Sequence, residues 1–396
     1  MSTGNERERL AESLVRKAHA TGGLVPMDVG GFWADQEQAM RDPWAADCPQ
    51  VPLGVAMGPE CVFSELGVPE DWYRLVHDDD YRVALSRRYN DRAEAVVGRR
   101  LLSESKPDPT WSWPPIKELA DIFEARNVWQ NESYWLQQSA RNEGELAALL
   151  DRVEKRVEDL RGFMLPPGWD KARARNTAAG HTVPRYRGQR GPVTFAMSVY
   201  GVENLIFLIA DNPTLAARFR ELILRAMLER ARVLDAEAGF TPATAPRGFY
   251  FLDDNCAMLN TEMYEFFGYP ILKGVFERYS PAPGDMRGQH SDSDMGHLLP
   301  LLGRLGLTTC NFGPRLTVAE IRAHLPKALI CGQLAPFTFS RNQEVGIVEE
   351  FLRDYEMGRE KRGLLFATAG SVNDGSRLTG LRLIMAVIQQ YGRYGL

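Results

Sequence analysis

The chain has 396 residues, 44% hydrophobic and 25% charged, which suits a globular protein with a sizeable core. Its formal net charge of −5 and pI near 5.8 lack the basic excess of a nucleic-acid binder. The five scattered cysteines, with no CxxC, exclude a disulfide framework or zinc knuckle and suit a reducing cytoplasm.

In chain order, the charged start "NERERLAESLVRKA" has no apolar core of the secretory kind. No run approaches the roughly 18 apolar residues that span a bilayer. Residues 6–20 read as a helix, and a loop-rich stretch follows to about Asp80. Tyr81 to Glu104 is helical in character. "SKPDPTWSWPPIK" holds too many prolines for a helix interior, and its tryptophans suggest a packed cover.

From Ser139 the pattern is regular. "NEGELAALLDRVEKRVEDLRGFML" is an amphipathic helix, with apolar residues three and four apart. "GPVTFAMSV" reads as a strand, and a long helix follows from Asn212. Strands at "RGFYFLDDN", "GDMRGQHSD", "LTTCNFG", "ALICGQLAP" and "LLFATAGS" then alternate with helices. Among those helices, "TEMYEFFGYPILKGVFERY" opens on an N-cap threonine, and Thr317 with Glu320 makes a capping box.

Continuous apolar strands between amphipathic helices predict a parallel sheet buried on both faces. The repeat fits a closed barrel or an open doubly wound sheet. No GxGxxG follows a strand, which disfavours a dinucleotide-binding sheet. The expectation is therefore a (β/α)8 TIM barrel over 111–396, with residues 1–110 as a helical, loop-rich extension covering one end.

A barrel's active site lies at the C-terminal ends of its strands. Those ends carry Asp253 and Asp254, then His290, Asp292 and Asp294, then Asn311, then Gln333. Such convergence of polar groups points to an enzyme. Asp253 and Asp254 read equally as acid–base groups or as caps of the next helix. Asp294, directly before "MGHLLPLLG", reads as an N-cap, and His297 as structural. Cys310 and Cys331 have apolar flanks and read as buried thiols. Arg187 and Arg190 are open candidates for anion binding. His290 and Asp292 are the candidate metal ligands, with Asp254 as a third.

At these residues a family resemblance becomes visible. Residues 185–396 resemble the uroporphyrinogen decarboxylase superfamily, which includes corrinoid and coenzyme M methyltransferases and is related in fold to cobalamin-independent methionine synthase. "GPVTFAMSVYGVENL" resembles its Gly-Pro-(Phe/Val)-Thr segment, and "FLDDNCAMLNTEMYEFFGYPILKGVFE" its Asp-Asp strand and following helix. "QHSDSDMGHLLPLLGRLGLTTCNFGP" is similar to its His-Ser-Cys-Gly-Asp strand. "ICGQLAP" and "ATAGSVNDGSRLTGLRLIMAVIQQYG" resemble its closing segments. The order of these landmarks implies a (β/α)8 barrel.

The departures from the pattern are informative. The group's zinc methyltransferases use His-x-Cys and a later cysteine. His290 matches the histidine, Asp292 stands where the first cysteine would be, and the later cysteine falls near Gly370. The implied site is harder, with His290, Asp292 and Asp253 or Asp254 around zinc or iron. The decarboxylases' Arg-Gln-Ala-Gly-Arg stretch is absent, so uroporphyrinogen itself is not the expected substrate.

Three functions remain. The first is metal-dependent methyl or alkyl transfer, with a corrinoid protein, a folate or a small thiol as partner. The second is a metal-independent decarboxylase or lyase that grips a carboxylated substrate with Arg187, Arg190, Arg315 or Arg377, beside Asn311 and Gln333. The third is a non-catalytic binding barrel. A homodimer is an open expectation, and neither nucleic acid nor membrane is expected as a partner.

Overall fold

A computed structural model describes residues 4–395. The chain alternates strand and helix through its C-terminal two-thirds. Eight strands are labelled in chain order: β1 (Arg126–Gln130), β2 (Ser133–Gln137), β3 (Gly188–Arg190), β4 (Phe249–Leu252), β5 (Arg287–Ser291), β6 (Thr309–Phe312), β7 (Leu329–Leu334) and β8 (Leu364–Thr368). β1 and β2 form an antiparallel hairpin. The other six form a parallel sheet in chain order, β3 to β8. Each crossover carries helix, as parallel pairing requires. The fold is thus mixed α/β, and among the described residues no ladder closes the sheet into a ring.

Two compact units divide the chain. The central unit comprises Pro107–Ser291 and His297–Thr308. In it β3, β4 and β5 align so that Arg190 pairs with Leu252, and Leu252 with His290. Its core is rich in aromatic residues: Phe249 lies tilted against Phe251 and meets Tyr186 edge-on, and Phe251 meets Phe276 edge-on. The tryptophans of "WSWPP" do pack, Trp113 against Trp169 and Trp111 on His181.

The terminal unit comprises the chain up to Lys106, Asp292–Gly296, and Thr309 onward. Here β6, β7 and β8 pair in parallel. The N-terminal stretch expected to be loop adds a bridge beside β8. Leu53 pairs in parallel with Phe366, Gly54 N donates to Phe366 O at 2.7 Å, and Phe366 N donates to Pro52 O at 2.9 Å. Only glycine fits at 54, because a β-carbon would lie 3.1 Å from that of Ala367 and still closer to the Leu365 side chain. The capping box at Thr317 and Glu320 forms as expected.

Three local expectations are corrected. "GPVTFAMSV" is not a strand; Pro192–Tyr200 is a helix with all but Ser198 buried. A nine-residue apolar run fits a buried strand or a buried helix, and Pro192 at the first helical position favours the helix. The cap of helix Thr261–Phe266 is Asn260, which accepts from Met263 N, rather than Thr261. Asp294 caps nothing: a 3-10 turn, Gly296–Leu298, leads into the helix Leu299–Leu305, and Asp294 pairs with Arg315 at 3.3 Å.

Candidate functional site

In the central unit, the strand ends bring together an imidazole and a carboxylate. His290 closes β5, and Asp254 opens the short turn Asp254–Met258 after β4. The ladder continues past the strands, with Asp253 N donating to His290 O at 2.9 Å, and this sets the two ends level. Nε2 of His290 lies 3.9 Å from Oδ1 of Asp254. The His290 side chain is 14% exposed and that of Asp254 41%. One group is thus held by packing, while the other faces solvent. His297 is structural, as expected; its Nε2 sits 2.8 Å from Leu259 O.

Asp253 is set apart from its neighbour by depth. It is fully buried, and its Oδ1 accepts from Thr194 N at 2.8 Å. The helix Pro192–Tyr200 begins after Gly191, which has no side chain to cap it. Asp253 supplies the missing cap from the next strand. A β-carbon at Gly191 would lie 2.5 Å from that same oxygen, so glycine is needed there. In return Thr194 Oγ1 accepts from Asn255 N at 2.9 Å. Burial pushes the Asp253 carboxyl up to about 6, opposed by hydrogen bonds from Thr194 and Val193. Asp253 therefore braces the turn that presents Asp254. The helix it caps precedes it in the chain; its side chain makes no cap hydrogen bond to the turn Asp254–Met258 that follows.

In the terminal unit, Asp292 is exposed and framed by two glycines. A β-carbon at Gly313 would meet Asp292 O at 2.6 Å, and one at Gly370 would lie 2.9 Å from Asp292 Cγ. Gly370 has φ +110°, and its carbonyl accepts from Thr368 Oγ1 at 2.7 Å. Residues 292 and 370 thus abut, and the space at Gly370 holds the Asp292 carboxylate.

Among the described residues, no cysteine joins the group of Asp254, His290 and Asp292. All five cysteines are free, and burial raises each above the ordinary thiol range, Cys61 to about 12. Buried, protonated thiols are poor ligands and nucleophiles.

Four of the six candidate substrate-binding residues make hydrogen bonds within the protein itself. Arg187 is bidentate to Asp235 at 2.7 Å, donates to Pro246 O and Tyr186 O, and lies over the Tyr279 ring. Asn311 donates to Cys331 O and Thr368 O, tying β6 to its neighbours. Gln333 is buried and donates to Gly313 O and Leu316 O, holding the loop after β6. Arg377 donates to Ser64 O beside the last helix.

Arg190 is different. It ends β3, is exposed, and lines a pocket of about 440 Å³ with Arg185 and Arg230, two residues that nothing in the sequence pattern singles out. A larger pocket of about 560 Å³ lies against the hairpin, but Glu124 and Arg156 in its wall already pair with each other.

No family model matches the chain, and no curated protein does. Among solved structures it is similar to a methyltransferase from Methanosarcina mazei, with TM-score 0.54 and 15% identity over 90% of this chain and 98% of that one. At that identity the likeness is one of fold. Among the described residues, no single helix is long and apolar enough to cross a membrane.

Proposed function

We propose that the chain is a metal-dependent enzyme of methyl or alkyl transfer, a divergent relative of the uroporphyrinogen decarboxylase superfamily on a (β/α)8 barrel. In this reading residues 111–396 form the barrel, and 1–110 cover it. His290, Asp292 and Asp254 hold one divalent ion, zinc or iron, each offering one ligand atom. The carrying observation is the His290–Asp254 pair at the strand ends, 3.9 Å apart. Two donors each about 2.0–2.2 Å from a shared ion lie roughly 3–4 Å apart. Asp292 follows His290 by two residues, so the chain itself brings it to the same strand end.

One imidazole and two carboxylates make a harder donor set than His and two thiolates, suited to zinc or iron. A bound ion would supply Lewis acidity and lower the pKa of a coordinated thiol, hydroxyl or water. Asp254, being solvent-facing, is the carboxylate that can also accept a proton, while Asp253 positions it. The fold likeness is to a methyltransferase, and alkyl transfer is carried to this chain as an analogy of fold. A corrinoid protein, a folate or a small thiol is the proposed partner, and the cytoplasm the proposed setting.

The second reading, a metal-independent decarboxylase or lyase, is favoured by one observation, the open arginine-lined pocket at Arg190. Elemental analysis of the purified chain separates the two. The metal reading expects about one ion per chain in the wild type and a loss in His290→Ala and Asp292→Ala, with the far-ultraviolet circular dichroism unchanged. A metal-free wild type that also fails to take up added zinc or iron(II) favours the lyase.

A further inference from the structure

Three arginines in the central unit converge on one pocket. Arg185 and Arg190 are exposed and flank β3; Arg230 comes from the long helix Pro213–Glu237. None of the three forms an ion pair among the described residues. This is unusual in a chain whose other arginines are so often paired, Arg100 with three acids and Arg218 with two. Arg230 is half-buried, its guanidinium lies 4.4 Å over the Tyr186 ring, and its Nε is buried without a hydrogen-bond partner. A buried donor left unmade is costly, and an incoming acceptor relieves that cost. The pocket's single acidic lining residue is Glu118, so its wall carries net positive charge. Planar guanidinium forks suit carboxylate and phosphate oxygens.

Register ties this pocket to the strand ends. Arg190 pairs with Leu252, and Leu252 pairs with His290, so the three stand in one row across β3, β4 and β5. Two strand spacings separate Arg190 from His290, roughly 10 Å. Between them Leu252 is 45% exposed and also lines the pocket. The row therefore reads as cation, apolar step, imidazole.

We infer that Arg185, Arg190 and Arg230 bind the anionic end of the small molecule that is acted on beside His290. The substrate class is a carboxylate- or phosphate-bearing compound whose acid group is separated from its reacting group by a short apolar stem lying on Leu252. The link to a reaction rests on the function proposed above; the anion site itself does not.

The test is calorimetric titration of the full chain, at fixed ionic strength, with inorganic phosphate and with a series of carboxylates from acetate to hexanoate. The wild type should bind at least one class saturably. Arg190→Gln and Arg185→Gln, both exposed and safe for folding, should weaken that binding about tenfold or more, as should Arg230→Gln. Arg74→Gln, which removes the same charge from a residue that does not line the pocket, should not. Carboxylate affinity should rise with chain length, and Leu252→Ser should abolish the rise. Absence of saturable binding to the wild type, or binding indifferent to Arg190→Gln and Arg185→Gln, overturns the anion site. A missing chain-length gain, or one that survives Leu252→Ser, overturns the link to His290. Metal content of the same samples is read separately: an anion-binding wild type without metal sinks the metal reading alone, and a metal-loaded wild type without anion binding sinks this one alone.

Discussion

The carboxylate of Asp292 stands where a side chain on residue 370 would have to go: a β-carbon there would lie 2.9 Å from Cγ and closer still to Oδ1. At φ +110° a side chain is strained at 370 whatever its size. A carboxylate at 292 and a glycine at 370 are thus a joint property of two positions. Gly370→Ala should cost about 1–3 kcal/mol in urea unfolding. Combined with Asp292→Gly it should recover the part due to overlap but not the part due to backbone strain. A double-mutant cycle gives that coupling. Independent, additive effects of the two substitutions would show that they do not compete for space.

Asp253 should behave as a brace rather than as a catalytic base. Asp253→Ala leaves Thr194 N without its acceptor at the buried start of a helix and should cost about 1–3 kcal/mol. Asp253→Asn keeps an oxygen in place and removes a charge that burial disfavours, so it should unfold close to wild type at pH 7. Equal losses in both variants would contradict the capping role.

A second buried carboxyl sets a pH dependence. Asp354 is fully buried beside Arg353, Nε to Oδ1 at 2.8 Å, yet burial pushes its carboxyl up to about 6 from an ordinary value of 3.8. The folded state therefore binds the proton more tightly than the unfolded chain. That contribution is fully present below pH 4, declines as pH rises from 4 to 6, and is gone above 6. Its span is about 3 kcal/mol at most. Glu124, held down to about 2 first by Arg152, has the opposite sign below pH 4.5. The useful observable is hence the stability difference between wild type and Asp354→Asn from pH 4 to 8. It should move in favour of the variant across pH 4–6 and then level off. A difference flat across that window contradicts the burial account.

The two arginines that flank β3 should separate cleanly. Arg187 and Asp235 form a buried pair, with side chains 12% and 5% exposed. Asp235→Ala leaves a buried guanidinium uncompensated and should cost about 3–5 kcal/mol in unfolding free energy. Arg190→Gln should leave thermal stability unchanged. A stable Asp235→Ala protein would return Arg187 to the list of ligand-binding candidates.

Much of this organisation is visible in the sequence, and the gaps have physical reasons. β4, β7 and β8 announce themselves as apolar runs leading to Asp253, Gln333 and the turn before Gly370, while the polar β5, Arg287–Ser291, is legible only from its place between helices. Pro192–Tyr200 is hidden because a helix buried on nearly every side has no polar face to give it a period. Leu53 and its neighbours are hidden because a strand this short, beside Pro52, has no alternation to read. His290 and Asp254 are legible as candidates from their positions after strands. The division between Asp253 and Asp254 is not, since it depends on the depth of the helix that Asp253 caps. Arg185 and Arg230 are 45 residues apart in sequence with no local motif, and only the fold brings them to one wall.

The central claim is a metal held by imidazole and carboxylate without thiolate, and the visible and near-ultraviolet spectrum of the cobalt(II)-loaded chain tests it most directly. The account predicts weak d–d bands of a nitrogen- and oxygen-ligated ion at about one cobalt per chain, no sulfur-to-cobalt charge-transfer band, and loss of the d–d bands in His290→Ala and Asp292→Ala. A strong charge-transfer band, or a wild-type chain that binds no cobalt, would contradict it.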